Sequence, residues 1–213
     1  MATHDHDHEH PKSADEPAPG YYEIMETALR ELLIDKKLIG PGEIRRQIEV
    51  LDSRTPALGA KVVARAWVDP EFRARLLANG RAVCESDFGI SFYDDTQLIV
   101  LENTEKIHNV IVCTLCSCYP RPVLGLPPDW YKAKEYRARA VKEPRAVLSE
   151  FGTDIPEDVE VRISDSTAMV RYLVLPQRPA GTGNSTEEQL AALVTRDAMI
   201  GVVKVNLENR NTL

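Results

Sequence analysis

The chain has no apolar run near the roughly 18 to 20 residues that a membrane span requires. With 26 Lys plus Arg against 33 Asp plus Glu and a net charge of -7, it also lacks the basic excess of a general polyanion binder. Neither a membrane nor nucleic acid is an expected partner. Aromatic residues are scarce, at 6%. Neither a collagen nor a coiled-coil repeat is present, which excludes both rods. No basic, apolar leader ending in small residues opens the sequence, so the cytoplasm is the expected compartment. Cysteine is limited to 4 positions. At 213 residues, 43% of them hydrophobic, the chain can bury a core without disulfide staples.

Residues 1–20 carry no large apolar side chain after Met1 and are crowded with charge and proline, so they cannot offset the entropy of ordering and read as a tail. His4, His6, His8 and His10 alternate there with Asp5, Asp7 and Glu9, a composition that binds metal ions loosely at most. From Tyr21 to Leu38 the apolar residues Ile24, Met25, Ala28, Leu29, Leu32 and Leu33 recur at helical spacing. Further helices are predicted from about Gly42 to Leu51, from Ala57, and from Pro70 behind an Asp69 cap to Asn79-Gly80. Residues 21–80 thus form a helical arm suited to a partner surface, and 81–203 a metal-binding catalytic domain. A short tail covers 204–213.

Leu98 to Leu101 and Asn109 to Val112 read as buried strands, as do Val159 to Ile163 and Met169 to Leu175. The run Arg121 to Pro128 holds too much proline for a regular element. One helix is predicted from Asp129 through Tyr136 to Val141, another from Glu143-Pro144 to Gly152, and a third from a Ser185 or Thr186 cap to Arg196. Helices followed by a mixture without strict alternation predict α+β layers.

Cys113, Cys116 and Cys118 fall within six residues, while Cys84 stands apart as a buried apolar residue. A structural zinc site needs four ligands, which Cys84 and His108 supply only at irregular spacing. An iron-sulfur cluster wants wider intervals. A thioredoxin-like pair leaves Cys118 unused. Three thiolates packed this closely can instead fold around one ion with the amide nitrogens of Ser117 and Cys118 facing it, leaving one octahedral position open. Displacing amide protons favours a trivalent transition metal over zinc.

Cys-Thr-Leu-Cys-Ser-Cys-Tyr-Pro at 113–120, followed by Pro-Val-Leu-Gly-Leu-Pro-Pro and a Trp-Tyr pair, resembles the α subunit of nitrile hydratase in its cobalt form. Similar segments are Leu58 to Val63, Asp69 to Phe72, Val174 to Thr182, and Val194 to Gly201, so the resemblance runs from about residue 21 to 203. It implies hydration of a small nitrile, R-CN plus water giving R-CONH2, at a non-corrin cobalt(III) centre acting as a Lewis acid, with iron(III) as the lesser choice. Thr114 stands where the cobalt form has Thr and the iron form Ser. The implied ligands are Cys113 as an unmodified thiolate, Cys116 as sulfinic acid, Cys118 as sulfenic acid, and the amides of Ser117 and Cys118. Cys116, Ser117 and Cys118 are the implied catalytic residues, and either water or the Cys118 sulfenate oxygen is the nucleophile. The implied partners are a β subunit that supplies two arginines, in αβ heterodimers or heterotetramers, and a metallochaperone or activator.

The sequence departs from the family at several points. Arg121 replaces a usual Trp and matches the Arg of the related thiocyanate hydrolase, whose cobalt-binding subunit is the alternative assignment. The acidic, histidine-rich leader also resembles that enzyme. The segment Ser91 to Asp95 lacks a common Gln-Gly pair. Arg171 matches an arginine that meets β-subunit histidines, although Met169 replaces the acid before it. Asp165 reads as a turn cap, and Arg178 as a surface or subunit-interface charge. A third reading, a zinc or redox module without turnover, stays open on residues alone.

Overall fold

The computed structural model describes residues 19–92 and 95–207. The histidines of the tail, and Tyr93 and Asp94 of the departing segment, lie outside the described residues. Two compact units divide the chain, 1–48 and 49–213.

The first unit contains α1 (Tyr21–Asp35), opened by the Glu23 carboxylate accepting from the Gly20 amide at 2.8 Å. None of its residues is buried, and Tyr22, Leu29 and Leu32 are exposed. The second unit begins inside α2 (Glu43–Asp52). It takes in α3 (Pro56–Val68), α4 (Pro70–Ala78) and α5 (Gly80–Phe88). Val62, Val63, Phe72, Leu76 and Cys84 are buried in its core. The helices assigned to the arm after Glu49 therefore lie within the larger unit.

Strand β1 (Gln97–Glu102) pairs in parallel with β4 (Val170–Leu175), and β2 (Ile107–Val112) with β3 (Glu160–Asp165). Parallel strands need crossovers. The β2 to β3 crossover holds α6 (Arg121–Leu124), α7 (Asp129–Lys132), α8 (Lys134–Lys142) and α9 (Pro144–Glu150). After β4 come α10 (Glu187–Ala191), capped by Thr186, and α11 (Arg196–Ile200), capped by Thr195. The α+β class predicted from sequence holds. No helix among the described residues is long and apolar enough to cross a membrane.

Several boundaries differ from prediction. The proline-rich run contains one helical turn, because Pro122 sits in the first turn, where its missing N–H matters least. The helix predicted from Asp129 breaks at Ala133, whose ψ of 138° is extended, and Asp129 is its first residue, paired with Lys132. The helix from Thr186 stops at Ala191 because Thr195 caps a separate one. Asn79 likewise caps α5 directly after α4 by accepting from Ala82 N.

Gly201, at φ +92°, packs where an added Cβ would lie 2.0 Å from the Asn109 oxygen. That approach brings its carbonyl to His108 Nε2 at 2.7 Å, while His108 Nδ1 faces Asn103 Nδ2 at 3.3 Å. His108 is therefore a buried core residue and not a ligand. Burial holds its imidazole below the usual range, outweighing the Gly201 contact, which favours the charged form. An unfolded chain takes up a proton on this residue near pH 6.5 and the folded chain only lower, so His108 stabilises above that value and loses its contribution as pH falls through the window. His108→Gln should show a shallower drop in urea midpoint between pH 7 and pH 5 than the parent. An identical drop would refute this.

Candidate metal centre

The metal loop begins where β2 ends. Val112 pairs with Asp165 across the β2–β3 ladder, so the Asp165 side chain emerges beside the first loop residue. Its Oδ1 accepts from Thr114 N at 2.9 Å and its Oδ2 from the Thr114 hydroxyl. This clasp anchors one end of the loop. At the other end the buried Tyr131 donates its hydroxyl to Cys118 O at 2.9 Å, and its ring meets Tyr119 edge-on at 5.1 Å. Between them, Arg137 Nη1 donates to Cys116 O at 2.9 Å.

So held, the chain turns its sulfurs inward. Cys113 Sγ lies 3.4 Å from Cys116 Sγ, which lies 3.2 Å from Cys118 Sγ, and all three fall within 4.8 Å of one another. None is in a disulfide. Cys113 is fully buried and also accepts from Cys116 N at 3.3 Å, whereas Cys116 is exposed. Hydrogen bonds from Cys118 and Cys113 bring the Cys116 thiol down to about 7. Burial, helped by the Cys116 contact and opposed by the Arg171 charge, raises Cys118 to about 12. Cysteine binds a metal as its thiolate. Three convergent soft donors with one face open fit a single transition-metal ion rather than a disulfide framework.

Cys116, Ser117, Cys118, Arg121 and Arg171 share a cavity of about 380 Å³, with Phe92 on its wall. Buried Cys113 is not among its lining residues. Thr114 instead lines a recess of about 260 Å³ with Arg137, so it serves the loop's anchorage rather than this cavity. Larger hollows of about 610 and 860 Å³ open elsewhere and contain no cysteine. Cys84 stays buried, its thiol pushed up to about 12 by burial. Trp67 and Trp130 are packing residues, the first donating to Pro176 O at 2.8 Å, the second meeting Tyr136 and Phe151 edge-on.

Sequence reasoning missed three residues of this site. Asp165 was read as a turn cap, while Arg137 and Arg54, which also lines the cavity, drew no reading at all. The sequence signal for Asp165 is its place two residues beyond the strand predicted over Val159 to Ile163.

Fold and site together define an α+β chain that presents a three-thiol metal loop at the end of a parallel strand. The nitrile hydratase alpha chain family model matches residues 20–203, and the chain belongs to that family. It is 57% identical over 176 residues to the low-molecular weight cobalt-containing nitrile hydratase subunit alpha of Rhodococcus rhodochrous, covering 82% of this chain and 84% of the relative. Against the thiocyanate hydrolase subunit gamma of Thiobacillus thioparus it is 41% identical over 192 residues, covering 85% and 79%. Among solved structures, a histidine double mutant of the Fe-type nitrile hydratase from Comamonas testosteroni Ni1 superposes with a TM-score of 0.79 at 43% identity, covering 90% of this chain and 94% of the other.

If Asp165 anchors the loop, Asp165→Asn should lower cobalt loading about 10 to 100-fold, in line with other residues that orient ligands without touching the ion. Cobalt analysis of the purified complex checks this, and parental loading would contradict it.

Proposed function

We propose that this chain is the metal-holding α subunit of a nitrile hydratase, converting nitriles to amides together with a β subunit. The observation that carries the reading is the convergence of Cys113, Cys116 and Cys118 beside a cavity, in a chain so similar to a cobalt-containing nitrile hydratase subunit. The sulfurs of these residues and the amide nitrogens of Ser117 and Cys118 would hold cobalt(III), with Cys116 as sulfinic and Cys118 as sulfenic acid. The ion, when bound, supplies Lewis acidity to the substrate.

The chain's own groups do the rest. Cys116 and Cys118 form part of the cavity wall, so their sulfur oxygens meet a substrate as acceptors. The Cys118 oxygen either takes a proton from the water that attacks the nitrile carbon or makes that attack itself. In the first route the water's oxygen bonds the nitrile carbon and both of its protons end on the nitrogen. In the second the Cys118 oxygen would bond that carbon, water would then add to sulfur and restore the sulfenate as the original S–O bond breaks, and the water's two protons would end on the amide nitrogen. Arg171, whose charge acts on Cys118, steadies the negative sulfur oxygens and meets the β subunit. Buried Cys113 keeps its sulfur unmodified.

The β subunit covers apolar surface that this chain leaves bare. Leu115, at the crest of the loop, is 88% exposed, and α1 offers a stripe with no buried residue. Of the arm expected over residues 21–80, the part outside the larger unit, 21–48, then reaches around the partner, in αβ dimers or tetramers, loaded in the cytoplasm with help from an activator.

Arg121 on the cavity wall favours a second reading, a thiocyanate hydrolase subunit, because a guanidinium attracts an anion. The cobalt-loaded complex should hydrate acrylonitrile or benzonitrile, and turnover of thiocyanate alone would overturn the first reading in favour of the second. Stoichiometric zinc with three unoxidised cysteines would overturn both. Cys116→Ser and Cys118→Ser should each lower nitrile turnover by more than about 100-fold with an unchanged far-UV circular dichroism spectrum. Full activity in either would reject its role.

A further inference from the structure

Arg137 of α8 lies outside the thiol-lined cavity, yet its Nη1 reaches the Cys116 carbonyl at 2.9 Å. Its Nε is buried without a hydrogen-bond partner among the described residues. None of the ion pairs among those residues includes it. A guanidinium is thus aimed at one backbone oxygen with no carboxylate to balance it.

The identity of that oxygen matters. It belongs to the peptide whose nitrogen is Ser117 N, one of the two amides that would bind the ion. A peptide nitrogen that binds a trivalent ion in place of its proton becomes an amidate, and its charge is shared with the carbonyl oxygen. A cationic donor on such an oxygen makes a hydrogen bond roughly twice as strong as a neutral pair does. Two carbonyls further on, Cys118 O belongs to a peptide outside the ligand set and receives the uncharged Tyr131 hydroxyl instead.

The helix bearing Arg137 is itself fixed against the strand that ends in the loop. Tyr136, one residue earlier, donates to Ile111 O at 2.8 Å, and Arg139, two residues later, binds Glu143 and both Glu150 oxygens.

We infer that Arg137 is a positioning residue that stabilises the Cys116–Ser117 peptide in its negatively charged, metal-binding form by donating to the Cys116 carbonyl. The inference rests on the ligand set proposed above.

The test uses the full α chain coexpressed with its β subunit at graded cobalt, comparing the parent with Arg137→Gln, which can still donate but carries no charge, and Arg137→Lys. The readings are the cobalt needed for half-loading and the position of the thiolate-to-cobalt absorption band. For Arg137→Gln the half-loading concentration should rise about tenfold and the band should shift, as expected for loss of one charge-assisted bond. Arg137→Lys should recover most of both. A Gln variant that loads and absorbs like the parent, or a Lys variant no better than Gln, overturns the inference. Should the Gln complex not assemble, Lys decides alone, with near-parental readings in support and a shifted, poorly loaded site against. A parent complex that takes up no cobalt would instead overturn the ligand set itself.

Discussion

Mutual repulsion is the constraint the site must manage, since three thiolates within 4.8 Å of one another are tolerable only with a cation among them. The fold answers by fixing the backbone before any ion arrives. A strand end, the Thr114–Asp165 clasp, the Tyr131 hydroxyl and the Arg137 guanidinium hold the loop at separate points. The sulfurs are left to converge because the backbone cannot relax away from them. Preorganisation of this kind is what would let a short loop gather the five proposed donors, two of them amide nitrogens that a flexible peptide keeps protonated.

The same anchors explain why so little of the remaining structure is specialised. The two parallel strand pairs and the helices around them place Val112 and Asp165 in register, and they put α8 beside the loop. Exposure differs sharply within the six-residue loop, from fully buried Cys113 to Leu115 at 88%. Cys113 is thus kept from solvent, while Cys116 and Cys118 line the cavity. Arginines gather where negative sulfur oxygens and amidate charge would accumulate, with Arg121 and Arg171 at the cavity and Arg137 behind the loop.

The cysteine spacing made the chemistry legible in the sequence, because a claw of this size is a local feature. The helices with apolar periodicity and the β-branched strands were legible for the same reason. What escaped was non-local. Asp165 meets Thr114 from 51 positions away, through a strand register that no local pattern displays. Arg137 sits in a highly charged helix where one arginine looks like another. The break at Ala133 opposes local propensity, since alanine favours helix. It falls between Tyr131 and Tyr136, whose hydroxyls are committed to the loop and to β2. Tertiary hydrogen bonding decided that boundary.

The account stands on a single ion gripped by three sulfurs and two backbone nitrogens. Cobalt-edge X-ray absorption of the assembled complex tests that most directly. Three sulfur scatterers, two nitrogens and one further light atom in six-fold coordination are the predicted result. A four-coordinate shell, or one with fewer than three sulfurs, would contradict it.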